Sequence, residues 1–372
     1  MAQMHPLAET GAVTGAGSAQ VGNPAVERLA RLDGLRGLAA CLVAFPYHTR
    51  ILFDPAQFTA GSIGPTLAWL QEWGWTFVDM FFVLSGYVFA HVYLGGKGLK
   101  SRADLADFTV ARIARLYPLH LLMLAITALF MFGTANNGMV PLLANLVMLQ
   151  AFLRPFVESF NSPSWSLSVE ALCYVVFAVA ATVGKRELIA VTVVMIAIAV
   201  CHFVLNGQPG GPYVADVVPR GFLGFFLGQL LWHQRLFLAR VPSLVLVALL
   251  FTGVYLVGAP ISPLLPLTVL AWPAALLLAL RLRLFESAPM VWLGDRSYAI
   301  YLINLPIIWA LGHYIGPLLG SGWLVLGVHL LVIALVLAAS DLSLRLVENP
   351  ARRAIRKAWH SRRRIAENPL TA

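Results

Sequence analysis

From about residue 32 to residue 346 the chain alternates between long apolar runs and short basic or Gly/Pro-rich clusters. Runs near twenty residues match the helix length that crosses the hydrocarbon of a bilayer. Ten spans are predicted on this pattern: Leu32–Phe53, Trp75–Leu94, Pro118–Phe132, Ser166–Val183, Leu188–Leu205, Gly221–His233, Val241–Val257, Leu264–Leu280, Ser297–Leu319 and Trp323–Leu346. The run Val140–Leu153 is short for a crossing and is expected to be re-entrant or tilted. In Asp104–Leu116 the apolar Leu105, Phe108, Ile113 and Leu116 interleave with Arg112 and Arg115, the pattern of a helix lying at the interface. The expected fold is therefore an all-α polytopic membrane protein with about ten transmembrane helices, an interfacial helix and one short re-entrant or tilted segment.

The basic clusters give the pattern a direction. Arg28, Arg31 and Arg36 open the first span, Lys97 to Arg115 follow the second, and Lys185-Arg186 follow the fourth. Arg235 and Arg240, Arg281 and Arg283, and the run from Arg352 to Arg364 continue the series. Ten crossings with both termini cytoplasmic put every cluster inside, as the positive-inside rule requires. Val140–Leu153 is not counted as a crossing for that reason. The formal charge of +9 then reads as orientation in a lipid bilayer, not as a nucleic-acid surface.

Composition agrees: 59% of residues are hydrophobic and 12% charged, about half the charge of an ordinary soluble domain. Residues 1–26 lack an apolar core and are expected to form a disordered arm, not a signal peptide. Residues 27–353 form the membrane domain and 354–372 a basic cytoplasmic tail. Cys41, Cys173 and Cys201 all fall in apolar runs, with neither a disulfide framework nor metal-ligand spacing, so no metal is expected.

Ionisable residues inside apolar runs mark candidate sites, because they are expensive there. Arg36 and His48 lie in the first span, Asp79 in the second and Glu170 near the start of the fourth. Buried carboxylates of this kind are usually paired, so Asp79 and Glu170 either fix Arg36 or His48 or hold helices together. Arg112 and Arg115, three apart, share a helical face suited to an anion or to lipid headgroups. Ser85-Gly86 allows close backbone approach, and Gly224-x-x-x-Gly228 reads as helix packing. Tyr117, Trp165, Tyr298 and Tyr301 are candidates for hydroxyl or stacking contacts. These materials suit a membrane enzyme or a transporter of a small polar molecule. The absence of a detectable repeat disfavours the transporter, and a scaffold leaves the intramembrane charges unexplained.

Six stretches, in order, resemble the membrane acyltransferase-3 family: R-L-D-G-L-R-G-L-A-A ending in His48, F-V-D-M-F-F-V-L-S-G (Phe77–Gly86), R-I-A-R-L-Y-P-L (Arg112–Leu119), S-W-S-L-S-V-E (Ser164–Glu170), L-G-D-R-S-Y-A-I-Y-L (Leu293–Leu302) and V-E-N-P-A-R-R (Val347–Arg353). The resemblance implies an integral-membrane O-acyltransferase of a bacterial inner (plasma) membrane. It would move an acyl group, most simply acetyl, from cytosolic acyl-CoA to a hydroxyl of a glycan or other acceptor. On that reading His48 serves as general base or acyl carrier, with Arg36, Asp79 and Glu170 beside it. Arg112, Arg115 and Tyr117 bind the donor, and Asp33, Ser85, Trp165 and Tyr301 contact substrate.

Two departures from the family pattern matter. Eleven residues separate Arg36 from His48, where the family usually has ten. At about 100° per residue, an offset of twelve turns His48 about 120° from Arg36. Pro46 lies in the gap, so a π-bulge or kink near Phe45–Pro46 is expected to restore the register. Asn304 stands where the family commonly has a histidine, which limits that side chain to hydrogen bonding.

Overall fold

The computed structural model describes residues 29–53, 64–96, 98–210, 214–315 and 322–367. The expected arm, residues 1–26, lies outside them. Helix α1 (Ala30–Leu42) runs into a π turn (Val43–Tyr47) and a 3-10 turn (His48–Leu52). There follow α2 (Pro65–Leu94), α3 (Arg102–Met131), α4 (Met139–Leu146), α5 (Ser162–Val183), α6 (Lys185–Leu205) and α7 (Val214–His233). The chain continues through α8 (Ser243–Gly258), α9 (Leu264–Ala279), α10 (Ala288–Ile315), α11 (Gly322–Ser343) and α12 (Asn349–Glu367). No β-strand element occurs among the described residues.

Among the described residues, six helical stretches are long and apolar enough to cross a membrane: α2, α3, α5, α6, α7 and the continuous run Trp323–Arg363 through α11 and α12. Helices α8 and α9 are apolar but shorter. The sequence pattern counted α1 and α10 as plain spans as well. Both are apolar sequences broken by polar residues, Arg36 and His48 in one and Asp295, Arg296 and Asn304 in the other. Helix α4 has only eight residues, about 12 Å of rise, which is too short for a crossing. Large apolar side chains line the outside of the bundle: Leu129 and Phe130 are each 81% exposed and Leu244 79%. Such a surface suits lipid and not water, and the protein is an integral membrane protein.

Two boundaries differ from the sequence reading. Asp104–Leu116 and Pro118–Phe132 were expected as an interfacial helix and a separate span, yet α3 is one continuous helix of 30 residues. A Ser101–Asp104 capping box starts it. Pro118 removes one N–H but does not stop it, because a proline defect in a packed helix stays local. The Leu116 carbonyl accepts a 2.5 Å bond from the Tyr298 hydroxyl, which ties α3 to α10. The basic tail, in turn, is helical as far as Glu367: α12 follows α11 through a π turn (Leu344–Glu348). It docks on the start of α3, where Trp359 Nε1 and Arg363 Nη1 each donate to Asp107 at 2.6 Å.

The core is built on close helix pairs, α1 with α10 and α2 with α7. A Cβ on Gly37 would come within 2.5 Å of the Gly294 nitrogen, and one on Gly86 within 1.8 Å of the Phe225 carbonyl oxygen. The glycines of the L-R-G and L-S-G stretches therefore serve backbone approach. Gly224 and Gly228 meet α2 in the same way, so the packing reading of that pattern holds. At the N-terminal end of α1, Arg31 pairs with Glu286 at 2.9 Å, and its hydrogen bonds hold the Glu286 carboxyl below its ordinary value.

Candidate active site

The site begins with the defect in α1. Pro46 sits in the π turn, and the His48 N–H reaches back to the Val43 carbonyl, five residues away. The Thr49 hydroxyl donates to the Phe45 carbonyl beside the defect. A π turn absorbs one extra residue, so the bulge expected from the extra residue and Pro46 is present. His48 consequently faces α10, where its Nδ1 lies 2.5 Å from Asn304 Oδ1.

That contact fixes the protonation pattern of the imidazole. Asn304 Nδ2 donates to the Ile300 and Tyr301 carbonyls at 2.8 and 2.7 Å. Its Oδ1 is therefore the atom presented to His48, and an amide oxygen only accepts. Nδ1 must carry the hydrogen, which leaves the Nε2 lone pair free to take a proton. Replacing Asn304 with leucine is expected to lower kcat about 10–100-fold, in line with the loss of a group that orients a histidine. Asn304→Asp, which still presents an oxygen to Nδ1, should retain more activity; steady-state rates of both variants check this.

His48 lines a small chamber of about 80 Å³ with Tyr47, Trp75, Glu158, Trp165 and Arg220. We call it the outer chamber, and its neighbour the inner one, after the orientation expected from the sequence. Arg220 directly precedes the predicted span Gly221–His233. It donates to both carboxylate oxygens of Asp79, at 2.9 and 2.8 Å, and both residues are buried. The guanidinium lies 4.8 Å from the Trp75 ring centre and 4.7 Å from that of Trp165. Asp79 therefore contacts neither Arg36 nor His48; it holds Arg220, which in turn holds two aromatic walls of the chamber.

An inner chamber of about 120 Å³ contains Arg36, Ser85, Arg112, Arg115, Glu170 and Tyr298. Arg36 Nε donates to Ser297 Oγ at 2.8 Å and Nη2 to the Gly294 carbonyl at 3.0 Å, while Asp33 pairs with it at 3.0 Å. Asp33 itself supports Arg36 and does not line the chamber. Glu170 accepts from the Ser85 hydroxyl at 2.7 Å and from Tyr174. Arg112 and Arg115 form no ion pair among the described residues, and Arg112 Nε is buried without a partner. Tyr117 does not line that chamber but an adjoining apolar groove with Ile113, Val175 and Val179, and Arg112 and Leu116 line both. Arg352 of α12, which opens the C-terminal basic run, lies in electrostatic range of Arg115 and Arg112.

Val78 and Tyr301 line both chambers and separate them. The Tyr301 hydroxyl donates to the Pro163 carbonyl at 3.0 Å and accepts from Ser166 at 3.2 Å.

A family model described as an acyltransferase domain matches residues 29–342. The chain belongs to the acyltransferase-3 family. It is similar to the acyltransferase MdmB of Streptomyces mycarofaciens, at 29% identity over 93% of this chain and 96% of that protein. It is also 27% identical to the putative peptidoglycan O-acetyltransferase YrhL of Bacillus subtilis (strain 168), over 74% of this chain and 48% of that protein. A match at 32% identity to protein 2 in the picA locus of Rhizobium radiobacter covers 46% of this chain and 91% of that protein. No solved structure matches the chain. This membrane acyltransferase thus moves an acyl group to a hydroxyl. Among its described residues, no three His, Cys, Asp or Glu side chains cluster as a metal site would need.

Proposed function

We propose that the protein carries an acyl group, acetyl in the simplest case, from cytosolic acyl-CoA to a hydroxyl of a glycan or similar acceptor reached from the outer side. The observation that carries this reading is the pair of chambers on either side of Val78 and Tyr301, with arginines free of ion pairs in one and a histidine with a free lone pair in the other. Ten alternating passes, with both termini in the cytoplasm of a bacterial inner membrane, put Arg36 at the inner edge and His48 about 18 Å deeper if the rise is helical. The similarity to YrhL, a putative peptidoglycan O-acetyltransferase, supports a glycan acceptor.

In this mechanism Arg112 and Arg115, with Arg352 beside them, take the phosphates of the donor. The pantetheine arm reaches past Arg36 toward Tyr301. The acceptor oxygen attacks the thioester carbonyl carbon as His48 Nε2 takes its proton. The carbonyl π pair moves onto oxygen. Collapse of the tetrahedral intermediate re-forms the carbonyl and breaks the carbon–sulfur bond, and the His48 imidazolium returns the proton to the departing sulfur. Glu170, Ser85 and Tyr174 shape the inner chamber, while Trp165 and Tyr301 bound the acceptor side.

The test uses purified full-length protein in lipid nanodiscs with labelled acetyl-CoA and a panel of hydroxylated acceptors that includes peptidoglycan fragments. Transfer of label to an acceptor hydroxyl is expected. The Arg112→Ala and Arg115→Ala variants should raise KM for acetyl-CoA about 10–100-fold each, because one charge-assisted contact contributes about 1.5–3 kcal/mol, while KM for the acceptor stays within about twofold. Movement of acceptor across a proteoliposome membrane without acyl turnover would overturn the reading.

A further inference from the structure

The arginines of the inner chamber suit an anionic donor, but the mechanism above names no charged group that recognises the acceptor. Three ionisable side chains besides tyrosines line the outer chamber: His48, Arg220 and Glu158. His48 is bonded to Asn304, and Arg220 is paired with Asp79. Glu158 is exposed and forms no hydrogen bond or ion pair among the described residues. It lies in electrostatic range of Tyr47, which lines the same chamber.

This exposed carboxylate is carried by a buried and tightly held segment. Val157, Ser159, Phe160 and Asn161 are all buried. The Ser159 hydroxyl donates to the Phe156 carbonyl at 2.6 Å and accepts from Asn145 Nδ2 at 2.8 Å. The Phe160 N–H donates to Asn137 Oδ1 at 2.5 Å, and Phe160 has a φ of 53°. A bulky side chain rarely adopts that conformation, which persists only where the surroundings impose it. Asn161 Nδ2 donates to the Leu302 carbonyl at 3.0 Å. The two preceding carbonyls, of Ile300 and Tyr301, hold Asn304 and through it His48. One turn of α10 therefore anchors both the base and the segment that presents Glu158. Groups locked in this way by packing and hydrogen bonds keep a set separation.

An ionised carboxylate accepts hydrogen bonds and does not donate them. It repels the phosphates of the donor and suits a hydroxyl. The hydroxyl that is acylated gives its proton to His48, so the one that meets Glu158 is another hydroxyl of the same acceptor. We infer that Glu158 binds a second hydroxyl of a polyhydroxylated acceptor and thereby selects which hydroxyl is presented to His48 Nε2. The inference rests on the acyl-transfer reading above and makes Glu158 a determinant of acceptor specificity.

The probe is the repeating disaccharide of peptidoglycan, given with labelled acetyl-CoA to the full-length protein in lipid nanodiscs. Glu158→Ala is expected to raise KM for the disaccharide about 10–100-fold, the loss of one hydrogen bond to a charged group. KM for acetyl-CoA should stay within about twofold, and the melting temperature should not change. Glu158→Gln keeps an accepting oxygen and should lose less. Monodeoxy analogues of the disaccharide complete a cycle. Removing one hydroxyl other than the acylated one should raise the wild-type KM by a similar factor, yet leave the KM of Glu158→Ala within about twofold. Losses that add for every analogue overturn the inference, as does a wild-type acceptor KM in Glu158→Ala. A fall in kcat with a displaced pH–rate profile and unchanged KM overturns it too, by placing Glu158 in the proton transfer. All three outcomes leave the acyltransferase reading standing. Absence of transfer to the disaccharide by the wild-type protein overturns the glycan acceptor and the inference together.

Discussion

Replacing His48 with glutamine is expected to lower kcat for acyl transfer by about 10³-fold or more while leaving the amount and stability of the protein in the membrane unchanged. The expectation has two parts. A positioned general base contributes about 10²–10⁴-fold, and His48 offers the only nitrogen lone pair among the residues named for the outer chamber. Glutamine can still donate to Asn304 Oδ1, so the α1–α10 contact survives and the loss is chemical. Initial rates with labelled acetyl-CoA, set against abundance by in-gel fluorescence and the melting temperature in detergent, separate the two. His48→Gln with full activity would remove His48 from the mechanism. If rates fall only in step with abundance, the residue is structural.

The largest stability change is expected at Asp79. Asp79→Leu leaves the Arg220 guanidinium buried and without its carboxylate, the situation that costs about 3–5 kcal/mol when one partner of a buried pair is removed. Asp79 is 0% and Arg220 3% exposed, so water cannot relieve the charge. Thermal unfolding of the variant should show a clear fall in melting temperature. Adding Arg220→Met should recover most of it, since a buried ion pair replaced by apolar groups is often close to neutral. Activity should not return in the double variant, because Trp75 and Trp165 lose the cation that holds them in place. If the double variant is both stable and active, the pair serves packing alone and has no part in shaping the chamber.

Much of this site is written in local sequence. The π turn is a case in point: one residue too many between Arg36 and His48, with Pro46 in the gap, announced a defect, and the defect is where it was expected. Arg36, Arg112, Arg115 and Glu170 stood out because an ionisable side chain in or beside an apolar run is rare for a physical reason, and the structure gathers all four around one chamber. The placement of Tyr117 outside that chamber is not legible in the sequence, because a tyrosine next to two arginines carries no sign of which side of a helix faces the interior. Its neighbour in sequence, Leu116, reaches the inner chamber, while Tyr117 turns to the apolar groove.

The placement of Arg220, Trp75 and Arg352 beside the chambers is not legible in the sequence for a related reason. An arginine at the head of a span looks like an anchor, a tryptophan near a span end looks like an interfacial belt, and an arginine in a basic tail looks like orientation. Each of these local explanations is sufficient, so none pointed further.

The sequence alone determined the class of the molecule, the ordered motifs and the chemical character of its buried groups. Hydrophobic run length, charge placement and the geometry of proline act over a few residues and are legible in one dimension. Only the tertiary structure decided which buried charge meets which. Asp79 and Arg220 are 141 residues apart in the chain, and His48 and Asn304 are 256 apart. Partnerships of that kind follow from how helices cross and rotate against one another. Those crossings depend on close backbone contacts such as Gly37 with Gly294, which no local pattern specifies.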